Sequence, residues 1–180
     1  MPALPQPGTG AHIFLVGWQG VAWEVAMKIR FVVLVLLIPC STIYADGADD
    51  AGARVHEYFE AFNARDIQKI ATGIYSTPVH VGGGAGHRVL ATPEAAMDNL
   101  DSLYDTIETE GWRESVIDNL KICMASASLA LVDTRYSRID NDGKPIPPAI
   151  RTNLYVLQMI EGDWRIVAFY GHDDDKRPGC

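Results

Sequence analysis

The sequence predicts an α+β domain, with helices first and an antiparallel sheet of hairpins after them. Three observations predict it. After residue 46, apolar residues first recur at helical spacing. From Trp112 onward the period changes to two. The clusters Asp140-Asn141-Asp142-Gly143-Lys144-Pro145 and Glu161-Gly162-Asp163 are turn signals that cut the second half into strand-length pieces. Helices set beside antiparallel strands define this class, and one domain of this length can bury a core of its own.

Each element follows from its residues. Asp49-Asp50 can cap a helix on which Val55, Tyr58, Phe59 and Phe62 form one face, ending near Ala64. Asp66 caps a second, short helix carrying Ile67, Ile70 and Ile74. Thr77 to Val81 reads as a short strand that runs into a flexible loop, Gly82 to Gly86. Thr92 as cap and Pro93 at the first helical position open a third helix, with Met97, Leu100, Leu103, Tyr104 and Ile107 as its apolar stripe. Leu120, Ile122 and Met124 alternate with Lys121 and Cys123, and a small-residue turn over 125–128 leads into a strand from Leu129 to Ile139. Two more strands follow, Ile150 to Ile160 and Trp164 to Tyr170, with Trp164 alternating with Ile166 and Ala168. The charged tail, residues 174–180, is expected to be disordered.

Upstream lies a leader. Met27-Lys28-Ile29-Arg30 precedes the apolar run Phe31 to Ile38, and the small residue Ala45 offers a cleavage point, which together read as a secretory signal peptide over 27–45. The run is far shorter than the about 20 residues of a membrane span, so no stable span is expected after cleavage. Residues 1–26 then read as an upstream extension or a disordered tail, and residues 46–173 as the domain. The expected location is secreted or periplasmic. Leu37-Ile38-Pro39-Cys40 has the outline of a lipoprotein box, but Pro39 fits poorly before the cysteine.

Charge and cysteines exclude several functions. The chain carries 15 Lys and Arg against 23 Asp and Glu, a formal charge of −8. That balance argues against nucleic acid, which needs clustered cations against its phosphates, and against anionic membrane surfaces. Only Cys123 and Cys180 follow Ala45. Export permits a disulfide between them, yet the spacing does not demand one, and two lone thiols are the expectation. No Cys or His pairing has metal-ligand spacing, and Gly82 to Gly86 lacks the strand–turn–helix context of a phosphate loop. No metal or cofactor is expected.

Two stretches carry a family resemblance: Tyr58-Phe59-Glu60-Ala61-Phe62-Asn63-Ala64-Arg65-Asp66, and the closing pair Asn153 to Ile160 with Glu161 to Val167. With the order of elements, they resemble the NTF2-like superfamily, the cone fold of ketosteroid isomerase, scytalone dehydratase and SnoaL-type cyclases. The resemblance covers nearly all of residues 50–173. It implies an NTF2-like cone, three N-terminal helices packed on a curved antiparallel sheet around a pocket. The pocket would be lined by the first helix, the His80 strand and one face of the long hairpins.

The resemblance also tests chemistry residue by residue. Tyr58 falls where ketosteroid isomerases keep an oxyanion-hole tyrosine, and a buried phenol can donate a strong hydrogen bond to a developing enolate. The carboxylate base of those enzymes has no counterpart in Pro78-Val79-His80-Val81-Gly82, nor does their second acid in Leu154-Tyr155-Val156-Leu157, so steroid isomerisation is not expected. His80 can serve as a general base, or simply as a hydrogen-bonded wall residue. Arg135, Arg138 and Arg151 sit on strands, where an inward guanidinium can grip a carboxylate or phenolate ligand; the alternative is an outer face with cross-strand ion pairs. Asp133 and Arg135 can be same-face neighbours, two of the three residue types of an epoxide-hydrolase-like set. The catalytic candidates are Tyr58 and His80, and the ligand-contacting candidates are Tyr58, Phe62, His80, Arg135, Gln158 and Phe169. Three readings follow: a binder of a small hydrophobic or aromatic molecule, a SnoaL- or scytalone-dehydratase-like lyase or isomerase, or an interaction module that forms a homodimer through its sheet.

Overall fold

A computed structural model describes residues 42–84 and 86–177. The expected leader, with Cys40, and the extension before it lie outside the described residues, apart from residues 42–45. Helix α1 spans Thr42–Asn63, starting about two turns before the expected Asp49-Asp50 cap. Its buried face is the predicted one: Val55, Tyr58, Phe59 and Phe62 are all buried. After Arg65, at a positive φ of 56°, Asp66 accepts a hydrogen bond from the backbone N–H of Lys69 and starts the one-turn helix α2, Ile67–Lys69. A π-helical turn, Ile70–Ile74, buries Ile70 and Ile74 beneath α1.

Strand β1, Tyr75–Gly83, and strand β2, Gly86–Leu90, form a hairpin. The expected glycine loop is therefore only its tip, and β2 is an element the sequence pattern missed. Gly82 has a packing reason: a Cβ there would stand 2.4 Å from the Tyr170 ring, which lies across it from the neighbouring strand. Helix α3, Pro93–Glu108, opens as predicted, with the Thr92 hydroxyl accepting from the Ala95 N–H. Four long strands complete the chain: β3 Trp112–Ser126, β4 Leu129–Asp140, β5 Arg151–Ile160 and β6 Asp163–His172.

The six strands form one sheet in the order β2-β1-β6-β5-β4-β3. Every pairing is antiparallel except β1 with β6, which is parallel. The expected antiparallel sheet is thus a mixed one. Register shifts within β1, β3 and β6 bend the strands. Helix α1 lies against β3, β4 and β6, over an inner sheet face made by Val132, Tyr155, Leu157 and Ile166.

The end of α1 is fastened to the sheet by one side chain. Asn63 donates through Nδ2 to the Ser115 carbonyl at 2.9 Å, and its Oδ1 accepts from the Ser115 N–H at 2.8 Å. Asn63→Ala orphans both backbone groups and should lower the unfolding free energy by about 2 kcal/mol, read from urea denaturation. An unchanged midpoint would show the clasp to be idle.

The outer face of the sheet carries a second polar cluster. Asp133, 2% exposed, accepts from Arg177 Nε at 2.6 Å and faces His172 Nε2 at 2.9 Å. Arg135 pairs with Asp174 at 3.5 Å rather than with Asp133. The tail is accordingly ordered through Arg177, with a 3-10 turn at Asp174–Lys176, where the sequence led us to expect disorder. Cys123 is disulfide-bonded. This corrects the expectation of lone thiols, and its partner lies outside the described residues.

Candidate functional site

The inner face of the sheet and α1 border a half-open cavity of about 200 Å³. Helical spacing aims Tyr58, Phe59 and Phe62 into it from α1, while strand alternation supplies Tyr136, Tyr155 and Phe169. These rings touch one another. Tyr58 lies 5.5 Å from Tyr155, Phe59 lies 5.2 Å from Tyr136, and Tyr155 lies 5.8 Å from Phe169, centroid to centroid. Leu103 of α3 completes the apolar wall.

Four polar residues share the lining: Arg88, Ser115, Arg138 and Asn153. Ser115 and Arg138 are cross-strand partners of β3 and β4. The Ser115 hydroxyl oxygen accepts from the Trp112 indole N–H at 3.1 Å. Asn153 Nδ2 donates to the Tyr155 hydroxyl at 3.3 Å. Arg138 Nε is buried without a hydrogen-bond partner. A wider, open groove of about 460 Å³ shares Tyr136 and Asn153 with the cavity.

Burial sets the protonation of the phenols. It pushes the Tyr58 hydroxyl up to about 12 and lifts Tyr75 and Tyr155 well above the ordinary tyrosine range. At any ordinary pH, Tyr58 is a neutral hydrogen-bond donor, never a base.

The structure brings together three of the six ligand-contacting candidates. Tyr58, Phe62 and Phe169 line the cavity. His80 does not: it is exposed between buried Val79 and Val81, and its Nδ1 lies 3.3 Å from His87 Nε2 on the neighbouring strand. Arg135 is on the outer face with Asp133, and Gln158 is exposed opposite Arg165. Strand alternation puts all three on the side away from the pocket, which corrects the expected convergence of His80 with Tyr58. Ser115 and Asn153 were missed, and of the three strand arginines considered it is Arg138, not the chosen Arg135, that lines the cavity. Arg138 shares the parity of Val132 and Tyr136, so counting two residues on from Tyr136 would have found it. Among the described residues, no group of three or more His, Cys, Asp or Glu is placed to hold a metal ion.

Solved structures with this architecture come from several bacteria. An NTF2-like protein with a cystatin-like fold from Novosphingobium aromaticivorans is similar over 88% of this chain and 94% of its own, with a TM-score of 0.59 at 9% identity. An NTF-2 like protein of unknown function from Shewanella oneidensis covers 69% of this chain and 98% of its own, with a TM-score of 0.53 at 17% identity. A ketosteroid isomerase-like protein from Erwinia carotovora atroseptica gives a TM-score of 0.53 at 17% identity, over 69% of this chain and 93% of its own. At such identities the likeness establishes the fold alone. A search of the curated proteins finds no match to the chain. In sequence, the family described as NTF2-like protein (DUF6841) matches residues 49–174. With that match spanning the helices, the sheet and the cavity between them, the chain belongs to this NTF2-like family.

Proposed function

We propose that this NTF2-like domain is exported and holds a small hydrophobic or aromatic molecule in its conical cavity. The observation that carries the reading is the half-open space of about 200 Å³ walled by six aromatic rings. A cavity of about 150 Å³ lined by apolar side chains takes up benzene, so this space suits a molecule built on a single ring. Such a molecule would gain the burial energy of its apolar surface and a hydrogen bond from the Tyr58 hydroxyl.

A lyase or isomerase reading has less support. Proton abstraction needs a base within hydrogen-bond reach of the substrate, and no Asp, Glu or His is among the residues lining the cavity. His80, the base that reading requires, is exposed beside His87.

Native mass spectrometry of protein purified from its natural compartment tests the proposal. The expected spectrum shows the domain beginning at Asp46, with an added mass that disappears on denaturation; the same spectrum reads whether the domain pairs with a second copy. A bare chain whose amide resonances ignore benzyl alcohol would overturn the binding reading. An uncleaved chain confined to the cytosolic fraction would overturn export.

A further inference from the structure

We infer that the ligand of this cavity is an anion, a monocarboxylate on a single ring, with its carboxylate on Arg138. The inference rests on the binding reading above and deepens it. The chain as a whole is acidic, at −8, yet the cavity lining holds two arginines, Arg88 and Arg138, and no carboxylate. The Arg138 guanidinium makes no hydrogen bond or ion pair among the described residues, and its Nε is buried without a partner. Arg138 is half-buried; a guanidinium cannot discharge itself by losing a proton at ordinary pH, and a partly desolvated cation without a counter-charge is costly.

The neighbouring polar groups point the same way. The Ser115 hydroxyl has its oxygen occupied by the Trp112 N–H, which leaves its proton to donate. Tyr58 stays protonated and donates as well. Arg88, exposed on β2, makes no ion pair among the described residues and adds a second cation at the rim. The charge of Arg138 also reaches Arg151 outside the cavity, whose pKa is lowered first by burial and then by that charge. Arg151 already donates to the Ile146 and Pro147 carbonyls at 2.9 and 3.0 Å, so it is engaged where Arg138 is not. Donors without acceptors, around a cation without an anion, describe a site whose missing member is a negatively charged acceptor. The planar guanidinium fork matches a carboxylate, and the aromatic walls match a ring of benzoate size.

The test compares benzoate, benzamide and benzyl alcohol by titration calorimetry on the wild-type domain and on Arg138→Met and Arg138→Lys. Benzoate should bind at least tenfold tighter than its neutral isostere benzamide. Arg138→Met should erase that preference while leaving benzyl alcohol within twofold, and Arg138→Lys should keep part of it. The wild-type Arg138 Nε–H resonance should shift on adding benzoate, which keeps the test decisive should Arg138→Met fail to fold. Equal binding of benzoate and benzamide, or a preference that survives Arg138→Met, overturns the anion and leaves the cavity-binding reading standing. Failure of all three probes overturns both.

Discussion

Raising the pH past 10 will unfold this domain within about two pH units, and the cause is its buried phenols. Four tyrosines resist ionisation in the folded protein. Desolvation lifts Tyr58 to about 12, holds Tyr75 and Tyr155 well above the ordinary value, and raises Tyr104. In the unfolded chain each ionises near pH 10. Below pH 10 both states keep their phenolic protons and stability does not depend on these groups. Above it the unfolded state sheds protons that the folded state retains, so stability falls as pH rises, by about 1.4 kcal/mol per pH unit for each phenol. Four phenols give roughly 5–6 kcal/mol per unit, against a typical total of about 5–15 kcal/mol for a domain. Urea midpoints should be flat to about pH 9.5 and then drop steeply. Tyrosinate absorbance at 295 nm should rise together with the loss of circular dichroism. Tyr75→Phe sharpens the test: its hydroxyl is buried with no partner, so its removal should cost nothing at pH 7, while cutting the alkaline slope by about a quarter. If all the tyrosines titrate near pH 10 with the fold intact, the buried-phenol account fails.

Much of this fold was legible in the residues because its signals are local. The i, i+3, i+4, i+7 spacing of Val55, Tyr58, Phe59 and Phe62 named the buried face of α1. Asp66 and Thr92-Pro93 marked two helix starts through side-chain caps the structure contains. Glu161 and Gly162, both at positive φ, make the tight β5–β6 turn that their types announce. What stayed hidden is non-local. Strand β2 is short and mostly exposed, and it exists because β1 offers it an edge. The parallel pairing of β1 with β6 joins residues some ninety positions apart, and no spacing rule reaches that far. The site was readable in parity more than in residue type. His80 stands between two buried valines and Gln158 directly follows buried Leu157, so alternation turns both outward. Arg138 falls in step with Val132 and Tyr136, so it turns inward. Choosing residues for their chemistry and neglecting their phase picked the wrong arginine.

Removing His172 and Arg177 together should cost about 3–5 kcal/mol, because it strands a buried charge. The Asp133 carboxylate is 2% exposed on β4, and its two oxygens are divided between Arg177 Nε at 2.6 Å and His172 Nε2 at 2.9 Å. The other ring nitrogen of His172 lies 2.9 Å from the Asp173 carbonyl oxygen. Both imidazole nitrogens thus face acceptors. Arg177 also donates to Asn119 Oδ1 at 3.3 Å, which draws the tail across β3. Taking away both partners leaves a carboxylate with neither water nor counter-charge, the situation in which a broken buried ion pair is most destabilising. Arg177→Ala alone should cost less, because His172 still meets one oxygen. Adding Asp133→Leu to the double variant removes the stranded charge and should recover more than half of the loss. Urea denaturation of the four proteins supplies the comparison, and limited proteolysis should cut the tail earlier in every variant lacking Arg177. A double variant as stable as the wild type would mean that Asp133 never depended on the tail. Recovery on adding Asp133→Leu would instead locate the cost in the unpaired carboxylate rather than in the lost packing of two side chains.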